Sequence, residues 1–211
     1  MERAVVWRPG SIAIELPRLP GDPESAAFGI NAAGVVVGKS QGPRDPDTRS
    51  KKRTAMVWSA DGQGTALAPA PGQTDGVAIA INDAGLAVGE SIRTISNEDG
   101  CVHIFTGMIW DRDGQSRVLP PLADFVDGFA ALGCIVQGSH AADITNSGIA
   151  VGLSVTGAQA VRWDPDGTPV ALPPLSGDTF SWAHGVNEAG VAVGFSAVDP
   201  SGKVKTAVLW R

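Results

Sequence analysis

The sequence predicts an all-β, propeller-like repeat domain, on three observations. A strand ending in tryptophan recurs five times, a reversal of the form Ile-Asn-x-x-Gly recurs four times, and 27 glycines and 15 prolines in 211 residues make the chain turn-dense. With 43% hydrophobic residues the composition excludes a disordered or collagen-like chain.

The tryptophan strands are Ala4-Val5-Val6-Trp7, Ala55-Met56-Val57-Trp58, Gly107-Met108-Ile109-Trp110, Ala160-Val161-Arg162-Trp163 and Ala207-Val208-Leu209-Trp210. Between them stand Ile30-Asn31-Ala32-Ala33-Gly34, Ile81-Asn82-Asp83-Ala84-Gly85, Ile144-Thr145-Asn146-Ser147-Gly148 and Val186-Asn187-Glu188-Ala189-Gly190, each followed by a strand of the type Val-x-Val-Gly. A third signal follows most tryptophans, as in Asp111-Arg112-Asp113-Gly114 and Asp164-Pro165-Asp166-Gly167, and leads into Leu-Pro segments. Asp-x-Asp-Gly and Asn-x-x-Gly are tight reversals, because glycine supplies the positive φ and Asp or Asn bonds the local backbone.

Each unit therefore reads as four antiparallel strands of about 50 residues in all. The first is the Leu-Pro segment, the second ends at Ile-Asn, the third is Val-x-Val-Gly and the fourth ends in tryptophan. The glycine that closes the third strand suggests a bulge or a close backbone approach. One such meander cannot bury both its faces, so copies pack face to face. The units run over approximately residues 8–58, 59–110, 111–163 and 164–210 of a single domain. Strand 4–7 is left as a supplementary strand, one used in ring closure, or one that pairs with a second copy in a homodimer. A β-solenoid or an open sandwich is the structural alternative.

With these repeats the chain resembles the HAF-type family of bacterial extracellular repeats. The resemblance rests on the Ile-Asn-x-x-Gly-x-x-Val-Gly and Ala-x-x-Trp signatures and covers essentially the whole chain. It implies a propeller-like architecture and attaches no general activity. The first residues run straight into a strand with no charged and apolar leader before it. The expected location is therefore the cytoplasm, and secretion would require a leader outside these residues.

A formal charge of −6 argues against a nucleic-acid partner, since phosphate binding needs a basic face. The single basic run, Arg49 to Arg53, reads as a solvated loop. No apolar run approaches the roughly 20 residues that span a bilayer, so no membrane partner is expected. There is no phosphate loop, no His-Glu-x-x-His, no EF-hand loop and no Gly-x-Ser-x-Gly elbow. No cofactor is called for.

Antiparallel strands place successive connections at alternate ends of the domain. The short Gly reversals share one end, and the long segments, such as 39–53, 90–106 and 123–142, share the other. Binding and catalysis favour long loops on a rigid scaffold. To that end map Trp182, the one tryptophan outside the repeat register, and Phe105, Phe125, Phe129 and Phe180. His103, His140 and His184 map there too, as do Cys101 and Cys134, a candidate disulfide between two enlarged loops. The aromatics read as a ligand wall or as a small core under the loops. The three histidines offer a site for a divalent metal, but no acidic residue holds a ligand spacing beside them, so no metal is expected. His184 stands where other units have Phe28, Ile79 and Ala142, and Asp143 replaces Gly29, Ala80 and Gly185.

Two functions fit. One is a scaffold that binds a small molecule or peptide on Trp182, Phe180, Phe125, Phe129, Phe105, His140 and His103. The other is a lyase, isomerase or cyclase of secondary metabolism on the same face, with His184, Asp143 and Asp178 as acid–base groups. The sequence expectation leans to binding, for want of a recognisable catalytic constellation.

Overall fold

The computed structural model describes residues 1–10, 12–46, 50–97, 100–122, 129–131, 134–201 and 203–211, with only the backbone of 96, 97, 100, 129–131 and 134. Every regular element among them is a β-strand. None is a helix, so no helix is long and apolar enough to cross a membrane. β1 (Val5–Arg8) and β2 (Ile12–Glu15) form a hairpin. β3 (Glu24–Ile30), β4 (Val36–Arg44), β5 (Lys51–Trp58) and β6 (Gly64–Ala66) form a four-stranded antiparallel meander.

The same meander recurs as β7 (Asp75–Ile81), β8 (Ala87–Asn97), β9 (Gly100–Trp110) and β10 (Ser116–Leu119). After β11 (Phe129–Ala131) it recurs as β12 (Cys134–Ile144), β13 (Ala150–Ser154), β14 (Gln159–Trp163) and β15 (Pro169–Leu172). Parallel pairing of β12 with β9 joins these two into one nine-stranded sheet that includes β11. β16 (Phe180–Val186), β17 (Ala192–Ala197) and β18 (Lys205–Trp210) end the chain as a three-stranded sheet.

Two differences from the sequence reading have simple causes. The Leu-Pro strand hydrogen-bonds back to the tryptophan strand before it, across the Asp-x-Asp-Gly hairpin, so Met56 faces Ala66, Met108 faces Val118 and Val161 faces Ala171. Each meander thus starts one strand later than the expected unit. Segments 39–53 and 90–106, read as loops from their polarity, instead prolong the ladders β4–β5 and β8–β9. Polar side chains are no obstacle to a strand that projects beyond the core, and Lys51 to Arg53 of the basic run lie in β5.

The core lies between the sheets. Val37, Ala55, Ala78, Met108 and Trp110 pack the first meander on the second; Val88, Ile109, Ala141, Val161 and Trp163 pack the second on the third; and Val151, Ala160, Ala183 and Ala192 pack the third on the last sheet. The first strands of successive sheets touch in order: β3 with β7, β7 with β12, and β12 with β16.

Burying strands face to face leaves polar atoms to satisfy, and the repeat does so identically each time. The indole N–H of Trp58, Trp110, Trp163 and Trp210 donates to the carbonyl of Pro17, Ala68, Pro120 and Pro173 at 2.7–2.8 Å. Buried Ser40, Ser91, Ser154 and Ser196 each accept from the backbone of the segment entering their sheet, at Leu19, Ala70, Leu122 and Leu175. Ser25, Ser139 and Ser181 do the same for Ala4, Gly107 and Ala160 of the preceding sheet. At the short-turn end Asn31 donates to the Asn82 carbonyl and Asn82 to the Thr145 carbonyl, a ladder across the reversals.

Each Val-x-Val-Gly glycine answers to a bulge. The register slips at Phe28, Ile79, Ala142 and His184, the extra residue of a β-bulge in β3, β7, β12 and β16. The bulge pushes a carbonyl against the facing strand. A Cβ on Gly38, Gly89, Gly152 or Gly194 would lie 1.9–2.0 Å from the carbonyl oxygen of Ala26, Val77, His140 or Trp182.

The stack is open at both ends. Trp7 is 70% exposed while Trp58, Trp110 and Trp163 are at 0%. Val193 is 48% exposed while its counterparts Val37, Val88 and Val151 are at 0%.

Candidate functional site

The strands that lead into the Asn-x-x-Gly-type reversals, β12 and β16, carry His140 and Trp182 at equivalent places, each two residues before a bulge position. The extra residue of the β16 bulge is His184. A bulge takes its residue out of the ladder and re-aims the side chain. The His184 ring accordingly joins Trp182 and Phe195 in a three-ring cluster, near-parallel to each, at centroid distances of 5.0 Å and 5.5 Å, with 6.5 Å between Trp182 and Phe195. Phe195 is the cross-strand partner of Trp182. Lys205, at the start of β18, holds its Nζ 4.3 Å from the centroid of the Phe195 ring.

His140 meets the edge of Trp182 at 5.3 Å, the rings nearly perpendicular. Its Nδ1 is bonded to Oε2 of Glu90, which reaches it from β8 of the neighbouring meander. Glu90 is 8% exposed. A carboxylate that deep needs a donor, so Nδ1 carries the proton and donates to Glu90. The imidazole then keeps Nε2 as its second functional nitrogen. The short His140–Glu90 contact thus fixes ring orientation and tautomer.

Burial of the His184 ring holds its pKa below the ordinary histidine value, and the electrostatic influence of neighbouring His140 and Lys205 pushes it further down. His184 is therefore neutral at pH 7. Under the wall lies a small apolar cluster of Val136, Leu153, Val155, Phe180 and Ala197, with Phe105 and Phe195 packed on it. Phe180 and Phe105 thus belong to the floor. The indole N–H of Trp182 is buried and finds no acceptor among the described residues.

The other expected site residues are drawn elsewhere. Asp143 accepts from the backbone N–H of Val186 at 2.8 Å and of Ile144 at 2.9 Å, tying β12 to β16. Asp178 accepts the hydroxyl of Ser196 at 2.6 Å, as Asp22 accepts that of Ser40 in the first meander. Asp143 is thus held by two backbone amides and Asp178 by a serine hydroxyl. His103 bonds Thr94 Oγ1 at 2.8 Å on the projecting arm and sits 6.4 Å from Phe105, apart from the other two histidines. Among the described residues no three His, Cys, Asp or Glu side chains are placed to hold a metal ion.

Phe125 and the side chain of Phe129 lie outside the described residues. The parallel pairing of β9 and β12 sets Cys101 opposite Cys134, and Cys101 is disulfide-bonded. The Cys134 side chain lies outside the described residues.

Sequence reasoning missed Glu90. The signal was available: the residue after the Val-x-Val-Gly glycine is Lys39, Glu90, Leu153 and Phe195 in the four repeats, and Glu90 is the single acid among them.

Residues 23–164 match the model of DUF3466, a family described as protein of unknown function. This match corrects the resemblance to HAF-type repeats. The short signatures behind that resemblance are the turn, bulge and indole chemistry that any such meander requires, and they do not single out a family. A gluconolactonase from Xanthomonas campestris, described as important in glucose secondary metabolic pathways, has a structure similar to this chain at a TM-score of 0.47 and 16% identity. The likeness covers 98% of this chain and 65% of that one, so the chain spans just under two thirds of the length of the gluconolactonase. No curated protein matches the chain.

Proposed function

We propose, for a chain that belongs to the DUF3466 family, an enzyme of acid–base chemistry at carbon, a lyase, isomerase or cyclase in which His140 moves the proton. The observation that carries this reading is the pairing of His140 Nδ1 with the buried carboxylate of Glu90. A carboxylate on one imidazole nitrogen raises the basicity of the other and stabilises the imidazolium that forms when it takes a proton. Trp182 and His184 stand beside that ring as the wall for an organic substrate. A plain binding module, the leaning of the sequence, is served by the aromatic wall alone. It has no use for an ionisable pair sequestered between two meanders, and that asymmetry favours the enzyme.

We read the scaffold as four propeller-like repeats forming an open sector of a ring, with β3, β7, β12 and β16 nearest the axis. Their sequential contacts and the inter-sheet cores support this. The pair then sits between two neighbouring repeats near their inner strands, a usual place for sites on such scaffolds.

Solvent exchange tests the reading even while the substrate is unidentified. The protein is incubated in D₂O with pools of small carbonyl and carboxylic compounds, and deuterium at carbon is measured by mass spectrometry. Incorporation into at least one compound is expected, reduced by about a hundredfold or more in His140→Gln and Glu90→Gln and retained in Asp178→Asn. Incorporation that survives His140→Gln, or none in any pool, overturns it.

A further inference from the structure

On the wall beside His140 stand donors with which no acceptor among the described residues is paired. Lys205 bears a full positive charge, and among the described residues no carboxylate pairs with it; its contact is the Phe195 ring. The Trp182 indole N–H is buried without an acceptor. His184, neutral, brings one ring N–H. The nearby acids are all engaged: Glu90 by His140, Asp143 by two backbone amides and Asp178 by Ser196. Such a surface is completed by a ligand that accepts hydrogen bonds and carries negative charge.

The amount of charge narrows the class. One ammonium beside a neutral imidazole matches a single negative charge. A phosphate dianion is normally met by several cations or by a cradle of backbone N–H groups, and neither faces this wall. We infer that the substrate is a carboxylate, its anionic group held by Lys205 and His184 and its apolar part laid against the Trp182–His184–Phe195 stack. This inference rests on the acid–base reading for the word substrate, but its geometry stands on the wall alone.

Binding can be read without turnover. Benzoate is titrated into the protein, with the imidazole signals of His184 and the indole N–H signal of Trp182 followed by NMR. Benzamide serves as the uncharged isostere and phenyl phosphate as the dianion. Saturable shifts are expected with benzoate and not with benzamide, with phenyl phosphate no tighter than benzoate. Lys205→Met should weaken benzoate about tenfold, and Lys205→Arg should restore most of it. Glu90→Gln, which silences the acid–base pair, should leave the benzoate shifts in place, so failure of the proton-transfer reading and failure of this one are told apart. Equal binding of benzamide, no shift with benzoate, tighter binding of phenyl phosphate or indifference to Lys205→Met each overturn the inference.

Discussion

Glu90 and His140 meet across the boundary between the second and third meanders, one from β8 and one from β12, each in a place where the other repeats carry no such partner. Because the pair joins two meanders, removing one member strands the other. Glu90→Ala should lower stability by about 1–3 kcal/mol, the cost of leaving a half-buried polar group unpaired, measured by urea denaturation. The double variant with His140→Ala should be less destabilised than the sum of the two singles. Additive losses would mean that the two side chains do not interact.

Trp7 and Trp110 occupy the same place in the repeated strand but differ in surroundings. Trp110→Phe removes the indole bond to the Ala68 carbonyl and part of a fully buried side chain, for an expected loss of about 2–3 kcal/mol. Trp7→Phe, at a site 70% exposed, should stay within about 0.5 kcal/mol of the parent. Urea melts of the two variants side by side would show whether burial, rather than repeat position, sets the effect.

Gly152 faces the His140 carbonyl at a distance that admits no Cβ. Gly152→Ala should therefore cost about 3 kcal/mol or more and, since the clash falls on the backbone of His140, disturb the Glu90 contact. Gly62→Ala meets no atom within 4 Å, although its φ of +90° still strains an alanine, so the loss there should be smaller, about 1 kcal/mol. A comparison of the His140 imidazole NMR signals in the two variants checks the local claim.

His184 supplies a pH dependence whose sign is fixed. Its folded pKa lies below the ordinary value, so below the unfolded pKa of about 6.5 the unfolded chain binds more protons than the folded one. The contribution is complete above that value and is lost as pH falls toward the folded pKa. His184→Gln should flatten the acid side of the stability profile below about pH 6.5, as read from thermal melts at a series of pH values. A steeper acid limb in the variant would mean the opposite sign, with a His184 that gains rather than loses proton affinity on folding.

Asp178 offers the converse test of role. Asp178→Asn keeps an acceptor for Ser196 but removes the charge, so stability should change by less than about 1 kcal/mol, with the deuterium exchange expected of His140 intact. A collapse of exchange in this variant would return Asp178 to an acid–base role.

Much of the scaffold was legible because its rules are local. The tryptophan strands, the Asn-x-x-Gly reversals and the Val-x-Val-Gly glycines each state a turn or a strand end in a few neighbouring residues. What the residues could not state locally was partnership. Nothing in Leu119-Pro120 says that its strand folds back on Gly107 to Trp110 rather than forward. Ser40, Ser91, Ser154 and Ser196 recur two places after a glycine, yet their meaning lies in amides some twenty residues earlier in the chain. His140, Trp182 and His184 were legible as special residues at one end of the molecule. Glu90 was not, because its partner is 50 residues away in sequence, and Asp143 and Asp178 looked chemical until their backbone and hydroxyl donors were located.

The uncovered ends have a consequence for motion. In a stack of sheets, stability is carried pair by pair between neighbours. Opening should therefore be graded, cheapest where core positions stand exposed, at Trp7 in the hairpin and Val193 in the last sheet, and dearest at the junction of the second and third meanders. Glu90 and His140 straddle that junction, whereas Trp182, His184 and Lys205 ride on the last sheet. Amide hydrogen exchange should therefore be faster around the three rings than around the ionisable pair.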